Sequence, residues 1–222
     1  MNVQIKNVVK SFGRNKVLND ISLAAESGSC VGIIGANGAG KSTLLSVLAG
    51  VLQPSQGQFL VDGKDLFINR KTRRAMVGYV PQGTPLIEEL SARDNLLLWY
   101  TRAEMEKQLK AGVLKILEID TFLKTPVRKL SGGMKKRLSI GCAMATKPPI
   151  LLLDEPTAAL DIACKQSIAQ YLQIYKQAGG IILLASHDLM ELEQCDKLYI
   201  LREGILHDYI YTGNMLELIE KL

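Results

Sequence analysis

The string GANGAGKST at residues 35–43 holds the residue types that grip phosphate, at the spacing G-x-x-x-x-G-K-[ST]. Gly35, Gly38 and Gly40 let the backbone turn so that successive N–H groups, those of Asn37 and Ala39 among them, point inward around an anion. Lys41 adds a point charge near the β- and γ-phosphates. The Ser42 hydroxyl is placed for Mg²⁺, and with Thr43 it opens a helix whose positive end also favours anions. A plain glycine-rich turn would show the same letters. Here the apolar run at 30–34 supplies the strand before the loop, and Leu44, Leu45, Leu48 and Leu52 supply the helix after it.

Further strings complement the loop. ILLLDEP, at 150–156, reads as a strand buried on both faces that delivers Asp154 and Glu155 at its carboxyl end, where doubly wound sheets bind ligands. Asp154 suits orienting a magnesium ion, and Glu155 suits polarising an attacking water. GIILLA, at 180–185, is a second such strand, ending in Ser186, His187 and Asp188. His187 fits contact with a transferring phosphoryl group, or an ordinary structural hydrogen bond. Gln82, just after Pro81, stands where strand gives way to helix; its amide suits a metal or a water, or the open surface. Phe12, in a loop between strand-like residues 3–9 and 17–23, suits stacking on an adenine ring or packing in a core. Finally, LSGGM precedes a basic helix: Ser131 is an N-cap candidate, and Gly132 and Gly133 leave N–H groups free for a second anion.

The elements that must position these groups fit one domain of 222 residues. At 47% apolar and 22% charged residues the chain is globular rather than disordered, and no apolar run reaches the roughly 18 to 20 residues of a membrane span. A cytoplasmic protein is expected, since residues 1–15 lack a signal-peptide apolar core and the four cysteines, without zinc spacing, read as reduced packing thiols. The net charge of +5 is scattered, and the clusters at 71–74 and 135–137 read as solvated faces. Residues 84–145 read as a helical insertion, with periodic stretches after Ser91 and over 103–117. The first helix is expected to end at the 54–57 turn. LYIL and ILHDYIY form a closing hairpin before a short terminal helix.

Taken in order, Phe12, GANGAGKST, Gln82, LSGGM, ILLLDEP, the AALD segment and His187 resemble the nucleotide-binding domain of ABC (ATP-binding cassette) transporters over nearly the whole chain. The resemblance implies an α/β fold, a RecA-like P-loop NTPase core with an antiparallel β subdomain and a helical subdomain, and an ATP hydrolase using ATP and Mg²⁺. It makes Phe12 the adenine-stacking aromatic, Lys41 and Ser42 phosphate and metal ligands, and Gln82 the sensor that also meets the metal. Ser131, Gly132 and Gly133 become the signature, Glu155 the catalytic carboxylate, Asp161 a D-loop acid and His187 the switch histidine. It implies two cassettes, identical or not, stacked head to tail on the inner face of the membrane. A separately encoded permease, with export favoured over import, would dock on apolar residues such as Leu86, Ile87, Leu90, Leu97, Leu98 and Trp99, which equally suit a core. Met134 stands where the family usually has Gln, removing a polar contact to the nucleotide. A competing reading, an ABC ATPase acting on nucleic acid or the ribosome, lacks the coiled coils or tandem cassettes of those relatives, so no nucleic-acid partner is expected.

Overall fold

The computed structural model describes residues 1–210, and of Leu189 the backbone alone. Strands β1 (Asn2–Phe12) and β2 (Asn15–Glu26) form one long antiparallel hairpin. Phe12 pairs with Asn15 and so ends a strand instead of lying in a loop, because ladder pairing continues to a two-residue turn at Gly13 and Arg14. Strand β3 (Cys30–Ile34) leads into helix α1 (Lys41–Ala49). That helix stops at Gly50, not at the 54–57 turn: with φ at 81°, Gly50 takes the left-handed cap, and Gln56 and Gly57 already belong to β4 (Gln56–Val61). The short β5 (Lys64–Asp65) precedes α2 (Arg70–Met76), which the sequence did not announce, and β6 (Val77–Val80).

In the helical insertion Ser91 caps α3 (Ala92–Leu97), accepting from the Asp94 N–H at 3.1 Å. Thr101 and Glu104 form a reciprocal capping box on α4 (Arg102–Ala111). The periodic stretch at 103–117 is not one helix, because Gly112 takes an extended conformation and starts α5 (Val113–Ile116). Two short 3-10 turns, Ile119–Phe122 and Val127–Lys129, lead to α6 (Gly132–Ala143). The chain then returns through β7 (Ile150–Asp154), α7 (Ile162–Gln177), β8 (Ile181–Ala185), α8 (Leu189–Leu192), β9 (Lys197–Arg202) and β10 (Ile205–Tyr209). The expected terminal helix lies outside the described residues.

Two sheets result. One has the order β2-β1-β4-β5 and is antiparallel; the other has the order β10-β9-β3-β8-β7-β6 and is parallel from β9 to β6. Period-two alternation, with both faces covered, explains why β3, β7 and β8 of the second read as nearly unbroken apolar runs. Ile150 and Leu152, with Ile181 and Leu183, pack with α1 and the antiparallel sheet. Leu151 and Leu153, with Ile182 and Leu184, pack against Leu96, Leu138, Ile140, Ile168 and Leu172 of the helical layer. Both faces are covered, and the carboxyl ends of β3, β7 and β8 come side by side.

The basic clusters are not simply solvated. Arg73 is 4% exposed, Lys136 4% and Arg137 7%. Arg73 lies against Gly50, where its cation meets the carbonyl end of α1. Arg137 reaches Glu118 at 2.6 Å and covers the Phe122 ring. All four cysteines are free, as read, and Cys30, Cys142 and Cys164 are buried.

Candidate functional site

The loop between β3 and α1 is built on backbone only glycine adopts easily: Gly38 and Gly40 have φ of 84° and 107°. Lys41, first in α1, is buried, and its Nζ donates to Gly35 O at 2.6 Å and Ala36 O at 3.1 Å. The third contact is His187 Nε2, at 3.0 Å. An ammonium only donates, so this nitrogen accepts and the imidazole proton belongs on Nδ1. Burial pushes the His187 pKa below 6.5, Lys41 pushes it further and Glu155 pulls it partly back. Burial likewise lowers Lys41, against the attraction of Glu155 and Asp154.

Asp154 closes β7 and is 2% exposed. Burial drives its carboxyl pKa upward, opposed by the Ser42 hydrogen bond and the charges of Lys136 and Lys41. A buried carboxylate bonded to a hydroxyl at a helix start is a pair of hard oxygen donors, the kind magnesium takes. Its neighbour Glu155 has φ at 47°, left-handed and uncommon for a residue with a side chain, and its N–H is tied to Ala185 O at 2.8 Å. The resulting turn aims the carboxylate at two groups: Gln82 Nε2 donates to Oε2 at 3.0 Å, and His187 Nε2 lies 3.6 Å from Oε1. Lys41, His187, Glu155 and Gln82 are thus linked in one chain of contacts, with the Ser42–Asp154 pair next to it in sequence.

Other sequence candidates are not joined to it. Phe12 is 48% exposed at the end of β1, with the Lys10 ammonium 4.8 Å from its ring centre. Asn37 is exposed and Ala39 half-buried in the loop, and Thr43 is half-buried in α1. Ser131 caps α6, accepting from the Met134 N–H at 3.2 Å, and no hydrogen bond among the described residues links the Ser131–Gly132–Gly133 turn to Lys41 or Glu155. The two glycines of that turn differ. A Cβ on Gly133 would stand 2.4 Å from Cys164 Sγ, so packing on α7 demands glycine there; on Gly132 it would meet nothing closer than 3.9 Å. Asp161 caps α7 through the Cys164 N–H at 2.9 Å. Of the apolar docking candidates, Ile87, Leu98 and Trp99 are exposed, at 45%, 57% and 65%, while Leu86 and Leu97 pack on the core.

Three supporting residues were missed. Glu191, buried, takes the Ser186 hydroxyl, and the same hydroxyl accepts from the Asp188 N–H, clamping the turn that carries His187. Lys165 of α7 pairs with Asp188. Lys136 donates to Pro81 O and Gln82 O. Its position four before the core residue Ile140 was the one signal that it faced inward.

A phosphate-type loop at the head of a parallel strand, with acids at the tip of a neighbouring strand, defines the P-loop nucleoside triphosphatase class. Within that class the chain belongs to the ABC transporter family, whose model matches residues 18–158. It is 35% identical to the Nod factor export ATP-binding protein I of Sinorhizobium fredii over 91% of this chain, spanning 60% of that protein's length. It is 32% identical to the linearmycin resistance ATP-binding protein of Bacillus subtilis, over 99% of this chain and 71% of that one. Among solved structures, a dimeric ATP-binding cassette in a post-hydrolysis state with ADP and Pi superposes with a TM-score of 0.83 at 29% identity, covering 93% of this chain and 97% of that one. A nucleotide-free cassette from an ABC transporter gives 0.86 at 25% identity, covering 99% and 96%. The chain is an ATP-binding cassette ATPase. Among the described residues no helix is long and apolar enough to cross a membrane.

Proposed function

We propose that this cassette is the ATP-binding subunit of an exporter, using MgATP to drive a separately encoded permease to which it docks on the inner face of the membrane. The observation that carries the site assignment is the meeting of Lys41, Glu155 and His187 at the ends of β3, β7 and β8. Ser42 and Asp154 would hold the metal, with Gln82 at its edge, and Phe12 would stack on the base. MgATP, when bound, supplies the phosphoryl group and a divalent charge. Glu155 then accepts the proton of the attacking water, while Lys41 donates to the phosphate oxygens and His187 meets the transferring group. The exposed Ser131–Gly132 turn would be completed by the phosphate loop of a second cassette, and the open space over Gly132 supports that reading. The direction of transport rests on the relatives named for Nod factor export and for linearmycin resistance.

Steady-state hydrolysis by the native chain and by Glu155→Gln tests the assignment. The variant should lose about 10²- to 10⁴-fold in kcat, the usual contribution of a positioned base. Undiminished turnover would remove Glu155 from the mechanism. Recovery of a membrane protein with the native chain, and not of nucleic acid, checks the partner.

A further inference from the structure

Lys136 sits in the second turn of α6 with 4% of its surface exposed. A buried cation needs an anion or a set of acceptors to offset its lost hydration. Its hydrogen bonds go to no carboxylate: Nζ donates to Pro81 O and to Gln82 O, each at 2.9 Å. Asp154, Glu191 and Glu155 attract the charge from further off, against the burial that lowers its pKa. The two carbonyls belong to the turn that leaves β6, and that turn carries the amide which reaches Glu155 at 3.0 Å. Gln82 has no other side-chain hydrogen bond among the described residues, so its backbone anchor decides where the amide points.

We propose that Lys136 is a positioning residue: by fastening carbonyls 81 and 82 to α6 it seats the Gln82 amide on Glu155 and so orients that carboxylate for hydrolysis. The inference rests on the reading of Glu155 as the hydrolytic carboxylate. It also gives the cation a reason to be buried that packing alone does not supply, since an apolar side chain would fill the same space without the cost of desolvating an ammonium. Because Ser131 caps the same helix, the fastening also ties the Gln82 turn to the element that carries the Ser131 turn.

The test is a double-mutant cycle read in kcat. Lys136→Met should lower kcat by about 10- to 100-fold, the scale of a misplaced catalytic group. ATP affinity by calorimetry should stay within about twofold, the margin of an uncoupled site. In a Gln82→Ala background, the same substitution should cost nothing further in kcat. Equal losses in both backgrounds, or an unchanged kcat in the native one, overturn the proposal. If Lys136→Met does not fold, Lys136→Gln, shorter and uncharged, is measured in both backgrounds by the same criterion. Undiminished hydrolysis by Glu155→Gln would instead remove the underlying reading, so the two failures are told apart.

Discussion

At the scale of single residues, three protons of Lys41 meet two carbonyls of its own loop and one histidine nitrogen. Lys41→Ala should weaken ATP binding by about 10- to 100-fold in calorimetry, since a hydrogen bond to a charged group contributes about 1.5–3 kcal/mol. Unchanged affinity would contradict the loop assignment. The same contact has a pH signature. His187 is held below its ordinary 6.5, first by burial and then by Lys41, so its NMR titration should lie below that value and move upward in Lys41→Ala. The sign for folding follows: an unfolded chain takes this proton first, so the histidine's share of stability is complete above about 6.5 and declines as pH falls toward the folded value. The loop and the two acids were legible in the sequence because each needs a particular residue at a fixed offset within one string. The bonds from Gln82 to Glu155 and from Lys136 to residues 81 and 82 were not, because they join positions 73 and 55 and 54 apart, which no local pattern encodes.

At the scale of elements, β7 and β8 were readable because strands covered on both faces carry no alternation. Helix α2 was missed: its seven residues, RKTRRAM, show charge before periodicity, and the buried Arg73 owes its place to Gly50 across the chain. The joint between α4 and α5 was missed because apolar spacing continues through Gly112 while the backbone does not. The packing of α6 on α7 makes the two signature glycines separable. Gly133→Ala should destabilise the isolated chain by about 1–3 kcal/mol in denaturant unfolding, as overpacked sites do, because Cys164 fills the space. Gly132→Ala should leave that midpoint nearly unmoved and act only where a second cassette approaches.

At the scale of the molecule, each chain offers an anion-gripping loop and, separately, the capped Ser131 turn. Glu155→Gln should retain MgATP and elute as a dimer in size-exclusion chromatography, whereas Glu155→Gln with Gly132→Ala should elute as a monomer. A monomer in both would leave the second turn without a nucleotide to meet. One feature of the sheet governs how such a subunit comes into being. Strand β3, which launches the phosphate loop from Cys30–Ile34, is flanked by β8 at Ile181–Ala185 and β9 at Lys197–Arg202. During synthesis the loop therefore leaves the ribosome some 150 residues ahead of the strands that brace it, and long-range parallel pairing of this kind is slow to form. Until both strands have been made, the nascent chain carries β3 without its ladder partners, and the phosphate loop waits for its support.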